Sequence, residues 1–134
     1  MLMIKTPERG TDPGGSGDFG ANRGSRLHMG VDYAAWPGSI LLSPVKGIVT
    51  RLGYPYGDDL SYTYVEVTDK EGNRHRFFYI DPSVDIGEAV RRTTPLGTVQ
   101  DVSVRYPVPR GMKPHIHYEI INKDGVHTVP FGED

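Results

Sequence analysis

Ser61-Tyr62-Thr63-Tyr64-Val65-Glu66-Val67-Thr68, then Asp69-Lys70-Glu71-Gly72-Asn73, then Arg74-His75-Arg76-Phe77-Phe78-Tyr79-Ile80, is the stretch that decides the fold. Tyr62, Tyr64 and Glu66 alternate with Thr63, Val65 and Val67. A strand imposes that period of two because successive side chains leave opposite faces. The residues between the two runs favour a tight turn, so the stretch predicts an antiparallel hairpin. Asp81-Pro82 ends its second strand, since proline lacks the N–H that a ladder needs. On this reading His75 faces solvent from the hairpin.

Working outward, residues 27–35, 40–42, 46–52, 99–104, 116–121 and 126–129 also read as strands or extended segments. Loops are expected at 53–59 and 106–114, with a turn at Asn122-Lys123-Asp124-Gly125. No segment carries a helical period. The chain has 17 Gly and 11 Pro with 37% apolar residues, which favours many short strands and tight turns over helices. The expectation is all-β, a single domain of antiparallel sheets in a β-sandwich or open barrel, with long loops around a groove. At 134 residues one domain can bury a core without staples. Residues 1–18 are either a flexible lead-in or an ordered loop, and 19–134 form the domain.

Composition excludes several classes. There are no cysteines, so a disulfide scaffold is ruled out. Net charge is −2, and no basic run exceeds Arg91-Arg92, which argues against a nucleic-acid footprint. No stretch approaches a membrane span, and residues 1–7 are too short for a signal peptide. Delivery by another agent, such as a phage particle or a lysis system, is the expectation.

Chemistry concentrates in two segments, Leu27-His28-Met29-Gly30-Val31-Asp32 and Pro114-His115-Ile116-His117-Tyr118-Glu119. On a strand His115 and His117 share a face, as do His28 and Asp32 if the chain stays extended between them. Two imidazoles and a carboxylate, with a fourth position left to water, make the ligand set of a catalytic zinc. A chance His-x-His is expected about once in five such chains, so the pair alone is weak. On spacing alone, two surface histidines and a turn aspartate explain the pattern equally well.

The context is richer than the spacing. Phe19-Gly20, Arg26, His28-x-Gly30-x-Asp32, Pro37-Gly38 and Ser43-Pro44-Val45-Lys46-Gly47-Ile48-Val49 occur in order. Val84-x-x-Gly87-x-x-Val90, Pro95-Leu96-Gly97-Thr98 and His115-Ile116-His117-Tyr118-Glu119-Ile120 follow. Over residues 19–121 this resembles the lysostaphin-like (LytM-type) zinc endopeptidases. The resemblance implies Zn2+ held by His28, Asp32 and His117, with His115 as the general base. It also implies the peptide of bacterial peptidoglycan as substrate, hence action at the cell wall, with phage structural or lysis proteins as candidate partners.

The chain departs from the family at one position. Family members usually carry Tyr-x-His-Leu between the metal blocks, and that histidine helps to stabilise the oxyanion. Here the segment is Phe78-Tyr79-Ile80-Asp81-Pro82, so Asp81 stands where the histidine is expected. A carboxylate repels an anion. Phage-encoded relatives and the leukocyte-derived chemotaxins look similar here, and the chemotaxin type keeps zinc without being regarded as a peptidase. Asp81 either orients His115 or caps the turn at Pro82. Tyr79 is a candidate donor to the oxyanion or a packed aromatic. Arg105, Tyr106, Arg110 and Lys113 are further candidates or solvated loop residues. Trp36, Tyr54 and Tyr56 either line a groove or pack, and His127 reads as structural or surface. The two functions to separate are a zinc endopeptidase and a zinc-retaining module that binds wall peptide, glycan or a protein without cutting.

Overall fold

The computed structural model describes residues 30–102 and 114–128, with the backbone pairing of four short strands before them. Those four are β1 (Thr11–Asp12), β2 (Gly15–Ser16), β3 (Asn22–Arg23) and β4 (Arg26–Leu27), joined as β1–β2 and β3–β4. They include all that is described of the expected lead-in. The strands that follow are β5 (Val31–Ala34), β6 (Ile40–Leu42), β7 (Gly47–Gly53), β8 (Tyr64–Thr68), β9 (Arg74–Phe78), β10 (Ile80–Pro82), β11 (Ala89–Val90), β12 (Pro95–Val99), β13 (His115–Ile121) and β14 (His127–Thr128). The described residues are all-β, with every strand pair antiparallel.

Two sheets carry the structure. The larger has seven strands in the order β11-β7-β8-β9-β13, with β14 and β5 both pairing β13. The smaller is β10-β12-β6. Neither closes on itself, so the architecture is the expected open one.

The β8–β9 hairpin forms where the alternation predicts it. Asp69 accepts from the backbone N–H of Glu71 and Asn73 through Oδ1, each at 3.0 Å, and Gly72 takes φ +87°. That left-handed turn suits glycine and an Asx side chain.

Val31, Tyr33, Val65, Val67, Phe77, Ile116 and Tyr118 fill one face of the large sheet and pack with Leu41, Ile80, Leu96 and Val99 of the small one. The register puts Asp32, Glu66, Arg76, Phe78, His115, His117 and Glu119 on the opposite face. One face is core and the other carries the chemistry.

Three sequence expectations give way. His75 does not face solvent: it is 5% exposed on the core face. Its Nε2–H donates to Asp69 Oδ2 at 2.9 Å, and Nδ1 accepts from Tyr118 Oη at 2.7 Å. Partner satisfaction outweighs the usual preference of histidine for the surface. Of the strand expected at 99–104, residues 103–104 lie outside the described residues, and the strand β12 (Pro95–Val99) ends where the expected one begins. Beyond it the chain turns to other partners: Gln100 N–H donates to the Tyr79 carbonyl, and Asp101 O accepts from Tyr62 Oη at 2.9 Å. The second hairpin strand does not run straight into Ile80. Tyr79 has φ +72° and hands the chain from the large sheet to the small one. It therefore does not share a strand face with Asp81.

Candidate functional site

The site is built on β5 and β13. Asp32 and His117 are register partners, and His115 stands opposite Ala34 on the same pair of strands. Parity sends Asp32, His115, His117 and Glu119 to one side while Val31, Tyr33, Ile116 and Tyr118 anchor the backbone from the other. Asp32 and His115 are 2% and 3% exposed. His117 Nδ1 lies 3.0 Å from Asp32 Oδ1, and His115 Nε2 lies 3.6 Å from Asp32 Oδ2.

Gly30 makes room for this. A Cβ there would sit 2.7 Å from His117 Cε1 and 2.8 Å from Nε2, and 2.6 Å from the Tyr118 carbonyl oxygen. No side chain fits that gap, which accounts for the glycine in His28-x-Gly30-x-Asp32. Phe78 closes the other side, edge-on to the His117 ring at 5.0 Å.

His117 is held from both ends, since Nε2 lies 2.9 Å from Glu119 Oε1. Burial opposes its charge, but the hydrogen bonds to Asp32 and Glu119 outweigh burial and raise its pKa to about 9. For Glu119, burial pushes the carboxyl up, and the His117 hydrogen bond and charge overcome it, so its pKa is lowered. Without metal, His117 is an imidazolium donating from both nitrogens.

Asp32 and His117 suit a divalent cation. Ligand bonds of 2.0–2.2 Å in a tetrahedral shell put neighbouring donors about 3.3 Å apart. The 3.0 Å between Nδ1 and Oδ1 is close to that edge. His28, the third expected ligand, lies outside the described residues. Among the described residues no group of three His, Cys, Asp or Glu side chains is arranged to hold a metal ion.

The other expected residues distribute as follows. Tyr79 reaches the site: its ring meets His115 edge-on at 5.5 Å, and its hydroxyl lies 3.1 Å from Tyr56 Oη. Tyr62 packs against both of those tyrosines. Asp81 is exposed on β10, paired with Thr98. No hydrogen bond joins its carboxylate to His115 among the described residues. Trp36 and Tyr54 are exposed, at 81% and 55%. His127 is half-buried, 3.5 Å from Glu119. Arg105, Tyr106, Arg110 and Lys113 lie outside the described residues.

Sequence reasoning passed over Glu119, Arg76 and Glu66. Arg76 Nε donates to Glu66 Oε2 at 2.7 Å, and its Nη1 lies 3.7 Å from Glu119 Oε2. Thr50 Oγ1 donates to Glu66 Oε1 at 2.8 Å. The signal was present: Glu119 continues the parity of His115 and His117, and register alone pairs it with Arg76.

Known proteins resemble this chain in sequence and in fold. The chain is 29% identical over 111 residues to bovine (Bos taurus) leukocyte cell-derived chemotaxin-2, covering 83% of this chain and 71% of that protein. Helicobacter pylori Csd3 superposes with TM-score 0.65 at 25% identity, over 96% of this chain but 33% of that one. The catalytic domain of the prophage-encoded M23 protein EnpA from Enterococcus faecalis superposes with TM-score 0.64 at 21% identity, over 87% and 88% of the two chains, and shares the fold. The model of peptidase family M23 matches residues 26–130, and the chain belongs to that family.

Proposed function

We propose that this chain is a zinc-dependent endopeptidase that hydrolyses peptide cross-links of bacterial peptidoglycan. The carrying observation is that His115 Nε2 lies 3.6 Å from the same Asp32 carboxylate that His117 meets at 3.0 Å. A base thus stands beside the donor set on one sheet face. His28, Asp32 and His117 are the proposed ligands. Zinc held there would supply Lewis acidity, polarising a carbonyl and lowering the pKa of a water.

The chain's own residues do the rest. His115 takes a proton from water as it adds to the scissile carbonyl carbon, then returns it to the leaving amine as the C–N bond breaks. Tyr79 donates its O–H to the carbonyl oxygen as charge develops there. Where Tyr56 is the donor in its hydrogen bond with Tyr79 Oη, it strengthens Tyr79 as a donor in turn. The positive φ of Tyr79 supports this role, because a bulky residue in the left-handed region is strained and such strain gathers at working sites. Asp81 is the weaker candidate, since its described surroundings are the β10 edge.

Wall peptide as substrate is the reading that membership of peptidase family M23 supports. Delivery by a virion or lysis system, with phage proteins as partners, is part of the same proposal. No helix among the described residues is long and apolar enough to cross a membrane. A second reading is a zinc-retaining binding module. It is favoured by Asp81 in place of the expected histidine, and by the chemotaxin-2 relatives.

The test is release of new amino groups from purified peptidoglycan, comparing zinc-loaded wild type, His115→Ala and a chelated control. Release abolished in both controls supports the peptidase. No release from any wall type, with zinc bound stoichiometrically, selects the binding module.

A further inference from the structure

We propose that Glu119 is a positioning residue that turns Nδ1 of His117 towards Asp32 and the metal, and that Arg76 and Glu66 hold Glu119 in place for this. The inference rests on the metal reading above and names residues which that reading does not use.

An imidazole can coordinate through either nitrogen, and the hydrogen bond made by the other one chooses. Nε2 of His117 has a specific acceptor in Glu119 Oε1 at 2.9 Å, whereas Nδ1 faces Asp32. A metal-loaded ring is therefore expected to keep Nε2–H and present the Nδ1 lone pair. Gly30 on one side and Phe78 on the other confine the ring plane. A half-turn about χ2 would put Cδ2 and Cε1 where Nδ1 and Nε2 stand, at the cost of the bonds to both Asp32 and Glu119.

Glu119 is itself constrained. It is 8% exposed, and Arg76 lies between it and Glu66, which is 5% exposed. Glu66 is fixed by Thr50 Oγ1, and Thr50 Oγ1 lies 2.9 Å from Thr68 Oγ1. A chain of side chains thus crosses β7, β8, β9 and β13 and ends at the metal ligand. Arg76 also stacks its guanidinium over the Tyr64 ring at 5.6 Å. A buried ion pair of this kind stabilises little on balance, and removing one partner is costly. Its value lies in geometry.

The experiment measures zinc affinity of the full chain by chelator competition, together with 15N NMR of the zinc-loaded imidazoles. Glu119→Ala is expected to weaken zinc binding by about 10- to 100-fold, and to lose exclusive Nδ1 coordination at His117. Glu119→Gln keeps an oxygen acceptor for Nε2–H and is expected to retain Nδ1 coordination with a smaller loss. Arg76→Met reads the same linkage from further away and serves if Glu119→Ala does not fold. Its affinity should fall several-fold, and Arg76→Lys should recover part of the loss. Affinities within twofold of wild type, with coordination unchanged, overturn the positioning role while leaving the metal reading intact. A wild type that takes up no divalent ion overturns both.

Discussion

Asp32 and His117 stand opposite one another on adjoining antiparallel strands, and their side chains meet with Nδ1 and Oδ1 3.0 Å apart. Backbone pairing therefore places two proposed ligands that lie far apart in sequence. Neither depends on a loop for its position. The arrangement also makes the metal-free site a strong proton trap, because Asp32 and Glu119 both favour the charged imidazole.

Zinc binding should release a proton. His117 holds its second proton up to about pH 9, and a ligating Nδ1 cannot carry one. Apparent zinc affinity is therefore expected to rise about tenfold per pH unit from near neutrality to about pH 9, then level off. Calorimetry in buffers of different ionisation enthalpy should report about one proton released per zinc near neutral pH. An affinity flat across that range would mean that Nδ1 of His117 is not a ligand.

Stability of the chelated protein should move the opposite way. The folded pKa of His117 lies above its ordinary value of 6.5. The contribution is thus fully present below pH 6.5 and is lost as pH rises through about 9. The full shift corresponds to at most about 3 kcal/mol. Urea unfolding with chelator should show lower stability at pH 9 than at pH 6.5, and His117→Phe should remove that slope. A slope that survives in His117→Phe would assign it to another group.

Tyr79→Phe should lower kcat by about 10²- to 10³-fold, the cost of one oxyanion donor, with zinc content unchanged. Tyr56→Phe should act in the same direction and more weakly, since it only polarises Tyr79. A phosphinic peptide analogue, which mimics the tetrahedral state, should bind Tyr79→Phe more weakly than wild type. Turnover and analogue affinity both kept within twofold would leave Tyr79 as packing alone.

The sequence makes the hairpin, the all-β class and the ligand strand legible because each rests on side-chain parity, which is local. His115 and His117 are recognisable for the same reason. What it could not show depends on tertiary partners. His75 reads as a surface residue until Asp69 and Tyr118 are placed around it. Tyr79 reads as an ordinary strand residue because a positive φ leaves no mark in the sequence. Glu119, Arg76 and Glu66 become visible only when the register of β8, β9 and β13 is known.

The Asp69–His75–Tyr118 chain is expected to matter for stability and not for metal binding. Asp69 is held by His75 and by the Asn73 backbone and side chain, which overcome burial and lower its pKa. Burial raises that of Tyr118, so its hydroxyl stays protonated and donates to His75 Nδ1. Tyr118→Phe keeps the ring stacked on Phe77 at 4.6 Å but leaves a buried imidazole nitrogen without that donor. The expected loss is about 1–3 kcal/mol, measured by urea unfolding with the metal chelated. Zinc affinity should stay within twofold, since the phenol lies on the core side of β13. A double-mutant cycle with His75→Phe should show the two effects strongly non-additive. Additive losses would mean that Tyr118 is stabilised by its packing and not by the relay.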